Sequence, residues 1–191
     1  MDLRRPKRVE VLGVPVDCVT MPDAVDVVEQ LVREGRQGTI IAVNPEKVIK
    51  AHTDRVLLEH LRASALLIPD GIGMVWATRL LGLGQMSRVP GADLMPEICE
   101  RAAKVGFGVF LYGASPEVNA AAASELRRRY PSLRIAGTSH GFRKDDEMPA
   151  LIDEINNSGA EILFIALGSP RQELWMAEHL PKTSIRVCQG V

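Results

Sequence analysis

Glu161-Ile162-Leu163-Phe164-Ile165-Ala166-Leu167-Gly168-Ser169-Pro170-Arg171-Gln172-Glu173 holds an unbroken apolar run, then a Gly-Ser-Pro break, then charged residues. A run without polar alternation, closed by turn residues, suits a strand covered on both faces. The residues after Pro170 read as a helix to about His179. The unit is strand, turn, helix, and the chain repeats it.

Upstream, Thr39–Val43 is a β-rich run followed by Asn44-Pro45-Glu46 and helical sequence. Leu66–Ile68 leads into Pro69-Asp70-Gly71 and a helix through Trp76 to about Leu81. Val109–Tyr112 leads into Gly113-Ala114-Ser115-Pro116 and a helix to Tyr130, stopped by Pro131. Arg134–Thr138 leads into His140-Gly141-Phe142 and a helix across Met148–Asn157. Ile185–Cys188 is the last run. Two elements stand outside the repeat: a loop over Gly82–Pro90 carrying Arg88, and an extra helix over Gly91–Val105. At the start, Val9–Asp17 reads as a β-hairpin, and Thr20 caps a helix to about Glu34. The fold class is therefore α/β: a Rossmann-like, mainly parallel sheet of about six strands flanked by helices, with an N-terminal β-hairpin.

Composition narrows the function. With 191 residues, 46% hydrophobic and 25% charged, the chain suits one domain with a full core. A formal net charge of -1 and 4% aromatics argue against a nucleic-acid binder. Cys18, Cys99 and Cys188 are odd in number and far apart, which fits buried thiols rather than a disulfide framework or a zinc site. The basic start, MDLRRPKRVEVLG, lacks the apolar stretch of a signal peptide, and no run is long enough to span a bilayer. Ser184–Val191 reads as a strand entering a Gly turn and stopping, as if cut before a further segment.

Ligands of open parallel sheets bind outside the carboxyl ends of the strands. The turns there carry Asn44, Asp70-Gly71, Gly113-Ala114, His140-Gly141-Phe142, Gly168 to Gln172, and Gln189-Gly190. Helix N-termini behind such turns favour an anion, a phosphate above all. Several of these residues also have a purely structural reading. Asn44 before Pro45 makes a good N-cap, Ser169 and Gln172 have capping-box spacing, and Asp70 could cap the helix near Ile72. Arg88 reads equally as a solvated charge, His140 as a turn residue, Asp145-Asp146-Glu147 as a solvated helix start, and Trp76 and Trp175 as core. There is no GxGxxG after a strand, no Walker loop and no GxSxG elbow. There is also no Asp-x-Asp pair to clamp a divalent ion; helix dipoles and an arginine would be the physical substitute.

Asn44-Pro45-Glu46, Ile68-Pro69-Asp70-Gly71-Ile72-Gly73, Arg88-Val89-Pro90-Gly91-Ala92-Asp93, Leu111-Tyr112-Gly113-Ala114, Gly137–Phe142 and Gly168-Ser169-Pro170-Arg171-Gln172-Glu173 together resemble the WecG/TagA/CpsF glycosyltransferase family. The resemblance covers nearly the whole chain, in order. It implies transfer of an N-acetylmannosamine-type sugar, or its uronic acid, from UDP to a polyprenyl-diphosphate-linked N-acetylglucosamine. That step belongs to wall teichoic acid linkage-unit or related surface-polymer synthesis. Transfer is expected to be inverting and metal-independent, with no cofactor. By similarity, Asp70 is the general base and Arg88 balances charge on the diphosphate or holds the sugar. Asn44, Gly71, Gly113, Ala114, His140, Gly141, Gly168 and Gln172 contact the donor, and Phe142 lies against the uracil. The resemblance further implies a cytoplasmic enzyme, peripheral on the inner membrane face, self-associating, with a C-terminal tail beyond Val191 that completes the site. Ala42 stands where some members carry a threonine. Two other readings remain beside it: a nicotinamide- or nucleotide-dependent oxidoreductase, and a non-catalytic sugar-nucleotide-binding protein.

Overall fold

A computed structural model describes residues 6–83 and 86–191. Met1–Arg5 of the basic start, and Gly84 and Gln85 of the loop expected over 82–90, lie outside the described residues. The N-terminal hairpin joins β1 (Lys7–Val11) to antiparallel β2 (Val14–Cys18). Six parallel strands follow: β3 (Gly38–Val43), β4 (Leu66–Pro69), β5 (Gly108–Gly113), β6 (Arg134–Ser139), β7 (Ile162–Ala166) and β8 (Val187–Gly190). Their order across the sheet is β4-β3-β8-β7-β5-β6.

The unbroken apolar runs are explained by the side-chain period of two. In β7, Ile162 and Phe164 enter one core while Leu163 and Ile165 enter the other. In β5, Val109 and Leu111 part from Phe110 and Tyr112 in the same way. Each face needs its own apolar set because helices cover both.

One face packs against α1 (Met21–Arg33), α5 (Gly91–Val105) and α6 (Pro116–Arg129). The other packs against α2 (Pro45–Thr53), α3 (Arg55–Ala63), α4 (Ile72–Leu80), α7 (Met148–Ser158) and α8 (Arg171–His179). The division follows the strand order. Crossovers from β3 to β4, β6 to β7 and β7 to β8 all run one way across the sheet, and their helices share one face. The β5-to-β6 crossover runs the other way, and α6 lies on the opposite face. A single handedness of crossover requires that pattern. The β4-to-β5 connection must change faces. Met86 still belongs to the α4 side and Val89 to the α5 side, so the chain passes around the sheet edge at Ser87 and Arg88. Val89 N–H donates to the Pro69 carbonyl at 2.8 Å, which holds this passage against the end of β4.

The hairpin is tied to that same edge. Asp17, 2% exposed, accepts from Leu67 N–H of β4 at 2.8 Å and pairs with Arg8 through both carboxylate oxygens at 2.7 and 2.8 Å. The carboxylate thus occupies an edge donor that would otherwise be open to another strand.

Three expectations need correction. The last strand is Val187–Gly190, not Ile185–Cys188, so Gln189 and Gly190 lie in the sheet rather than on a turn after it. Hydrophobic density pointed to Ile185, which is buried but sits before the ladder begins. The helical sequence expected after Asn44 is present as two helices that meet at Asp54, whose carboxylate accepts from Leu57 N–H at 2.9 Å and starts α3. Trp76 is 69% exposed and not core, since α4 buries Met74, Val75 and Thr78 instead; Trp175 is buried as expected. The Ser169–Gln172 capping box does not form: Pro170 holds the cap position of α8, with no side-chain cap bond.

Candidate active site

The carboxyl ends of β3, β4 and β8 and the first turns of α2, α5 and α8 enclose a cavity of about 380 Å³. Asn44, Asp70 and Gln172, widely separated in sequence, all line it. Ala42, Gly91 and Gly190 bring backbone and small side chains to its floor.

Asn44 is an N-cap: its Oδ1 accepts from Lys47 N–H at 2.8 Å at the start of α2. The cap uses only the side-chain carbonyl, so the structural and ligand readings of Asn44 are compatible. Asp70 caps nothing. Its own N–H donates to the Val43 carbonyl at 2.9 Å, and α4 begins after Gly71 without a side-chain cap. Gly71 has φ 89°, a conformation that disfavours any side chain, and it turns the chain sharply between the carboxylate and the helix. Among the described residues the Asp70 carboxylate has no hydrogen bond and no ion pair. It is half-buried at the cavity wall.

Gln172 comes from the first turn of α8 and is 8% exposed. Its N–H bonds the Gly168 carbonyl at 3.0 Å, but its buried Oε1 has no partner. The residue lines the cavity, and the protein itself leaves this acceptor unsatisfied. In β8, the fully buried Gln189 donates from Nε2 to the Gly91 carbonyl at 2.7 Å, fixing the start of α5 to β8.

Sequence reading gave no role to Lys47 and did not foresee its ion pair with Glu173. Lys47 lines the cavity and its Nζ bonds Glu173 Oε1 at 2.5 Å, with the two side chains only 7% and 1% exposed. The available signal was the position of Lys47 on the same α2 stripe as buried Val48 and Ala51. Lys50, one turn further on, is exposed and lines the cavity, and Arg88 is exposed at the face-changing passage. Neither forms an ion pair among the described residues. Arg88 does not line the cavity itself, but the Val89–Pro69 bond sets it beside the turn that bears Asp70.

A second group gathers at the ends of β5, β6 and β7. β5 and β7 are neighbours whose outgoing chains diverge to opposite faces, the arrangement that opens a crevice in such sheets. Ala114, at φ 57°, donates its N–H to the Ala166 carbonyl at 2.9 Å, and Gly141 N–H donates to the Ala114 carbonyl at 2.8 Å. Gly113, Ala114, His140, Gly141 and Gly168 are thereby brought to one sheet end. Phe142 stands out from it, 66% exposed, with its N–H donating to His140 Nδ1 at 3.3 Å and the two rings 6.3 Å apart. These residues do not line the cavity; Ser169, next to Gly168, does.

Among the described residues no group of three or more His, Cys, Asp or Glu side chains is placed to hold a metal ion. No helix of the described residues is long and apolar enough to cross a membrane. The glycosyl transferase WecG/TagA/CpsF family model matches residues 9–191, from the first strand through the last, and the chain belongs to this family of glycosyltransferases.

Proposed function

We propose that this glycosyltransferase moves an N-acetylmannosamine-type sugar, or its uronic acid, from UDP to a polyprenyl-diphosphate-linked N-acetylglucosamine in surface-polymer synthesis. The observation that carries the reading is the unpaired Asp70 carboxylate in one cavity with Asn44 and the orphan Oε1 of Gln172.

In this mechanism Asp70 takes the proton from the acceptor hydroxyl as that oxygen attacks the anomeric carbon from the face opposite UDP. The new carbon–oxygen bond forms while the sugar–phosphate bond breaks, and its electron pair leaves on the diphosphate. The configuration inverts. Arg88, Lys50 and the N-termini of α2 and α8 offset the leaving charge, which is the work a metal ion does elsewhere. Asn44 Nδ2 and Gln172 Oε1 hold donor polar groups, and Gly71 keeps the base turn tight. Gly113, Ala114, His140, Gly141 and Gly168 form the nucleotide end, where the exposed Phe142 ring stacks on uracil. Ile72, Trp76 and Leu80 recur every fourth residue on the helix leaving Asp70, and all are exposed. That face suits the approach of a lipid-linked acceptor from a membrane surface.

The test is the unfolding midpoint with UDP, UDP-N-acetylglucosamine, ADP and NADH at matched concentration, followed by turnover with Asp70→Asn. A ligand that binds only the folded state raises the midpoint. The expected result is a rise with the uridine compounds alone. Asp70→Asn should keep that rise and lose about 10²–10⁴-fold in turnover, the usual scale of a general base. Equal turnover in the variant would remove Asp70 from the mechanism. UDP binding with no transfer by the wild type would favour a binding protein.

A further inference from the structure

We propose that the buried Lys47–Glu173 ion pair is a positioning device that sets the spacing of Asn44 and Gln172 across the cavity, and through it the affinity for a uridine diphosphate donor. The inference rests on the donor reading above.

Both partners sit in the first turn of their helices, three residues after the cap position: Lys47 after Asn44 on α2, Glu173 after Pro170 on α8. Glu173 is well placed there, because the positive end of a helix favours an anion. Lys47 is badly placed for the same reason. Burying both charges at 7% and 1% exposure adds a desolvation cost, and Glu173 Oε2 has no partner to offset it. Stability does not call for the pair. Val48 and Ala51 of α2 and Trp175 and Met176 of α8 already join one apolar core, and an apolar pair of similar volume would serve packing as well.

The pair does make one connected path. Asn44 Oδ1 holds Lys47 N–H at 2.8 Å, and Lys47 Nζ holds Glu173 Oε1 at 2.5 Å. Glu173 adjoins Gln172 in the chain. The path thus links two residues that line the cavity, from one proposed donor-binding side chain to the other. A salt bridge with the carboxylate fixes this separation by direction and distance, whereas methyl contacts tolerate sliding.

The test compares wild type with K47M/E173L, in which apolar side chains of similar reach replace both charges. The expected unfolding midpoint is equal to or above wild type. UDP dissociation constant and donor KM should each rise about tenfold while kcat stays within about threefold, a split that general loosening would not produce. A folded double variant that binds UDP as wild type does overturns the inference and leaves the donor reading standing. A wild type that does not bind UDP overturns both. Should the double variant fail to fold, Glu173→Gln, which keeps the hydrogen bond to Nζ, is compared with Glu173→Leu. Near-normal UDP binding by Gln and loss by Leu supports positioning, and equal binding by the two overturns it.

Discussion

Gly190 lies so close beneath Gln172 that a Cβ added to it would stand 2.5 Å from Gln172 Nε2. The strand floor and the α8 side chain are therefore matched in shape, and only glycine leaves room for the amide. The clashing atom is the end of a flexible side chain, so Gly190→Ala can be absorbed by moving Gln172. The expected outcome is an unfolding midpoint within a few degrees of wild type and UDP affinity about tenfold weaker, which is about 1.4 kcal/mol. Calorimetric titration of both proteins with UDP checks it. Unchanged affinity would take Gln172 out of the donor site.

Asp17 joins the hairpin to the sheet edge by accepting from Arg8 and from Leu67 N–H. Removing it leaves the Arg8 guanidinium to water and the buried Leu67 N–H without an acceptor. Asp17→Ala is expected to cost about 1–3 kcal/mol, the range for leaving a buried donor unsatisfied. Asp17→Asn retains an acceptor for Leu67 and should cost distinctly less. Urea unfolding of the three proteins gives the values, and equal losses in the two variants would assign the effect to charge alone.

His179 packs against Trp175 with ring centroids 5.4 Å apart, and burial holds its pKa below the ordinary histidine value. Glu178 pulls the value up, Lys182 pushes it down and Asp145 pulls it up, each less strongly than burial. As pH falls, the unfolded chain takes the proton first, so stability is full above about 6.5 and declines from there toward the lower folded-state pKa. Between about pH 7.5 and about pH 5.5 the wild-type midpoint should drop more than that of His179→Gln. Parallel slopes would show that His179 does not carry this part of the pH response.

The thiols offer a check on the core. Burial pushes Cys99 up to about 12 and raises Cys188 further, while the half-buried Cys18 is raised chiefly by burial. Thiolate is the reacting species, so each should be slow. Iodoacetamide on the native protein at about pH 8 is expected to label Cys18 alone, more slowly than a free thiol of ordinary pKa near 8.5. Cys99 and Cys188 should react only after unfolding. Labelling of Cys188 in the native state would contradict its place inside the sheet.

Most of the sheet was readable because each strand announces itself locally. Ile162–Ala166 and Gly108–Gly113 need apolar residues at every position, and Gly or Pro closes each run. Misreadings occurred where burial does not follow hydropathy. Gln189 is fully buried on a strand with its Nε2 held by the Gly91 carbonyl, and Trp76 is exposed on a helix that buries its neighbours. Neither follows from residue type.

The α/β class, the turns that carry Asp70, Gly113 and Gly168, and the Asn44 cap are legible in the chain alone, since all depend on neighbours a few residues apart. Its motif order also marked the family. That Asn44, Asp70 and Gln172 share a cavity, that Asp70 is left unpaired, and that Lys47 reaches Glu173 emerge once the chain is folded. Those facts depend on the order of strands in the sheet and on the faces their crossovers take, which bring together residues more than a hundred positions apart and leave no local trace.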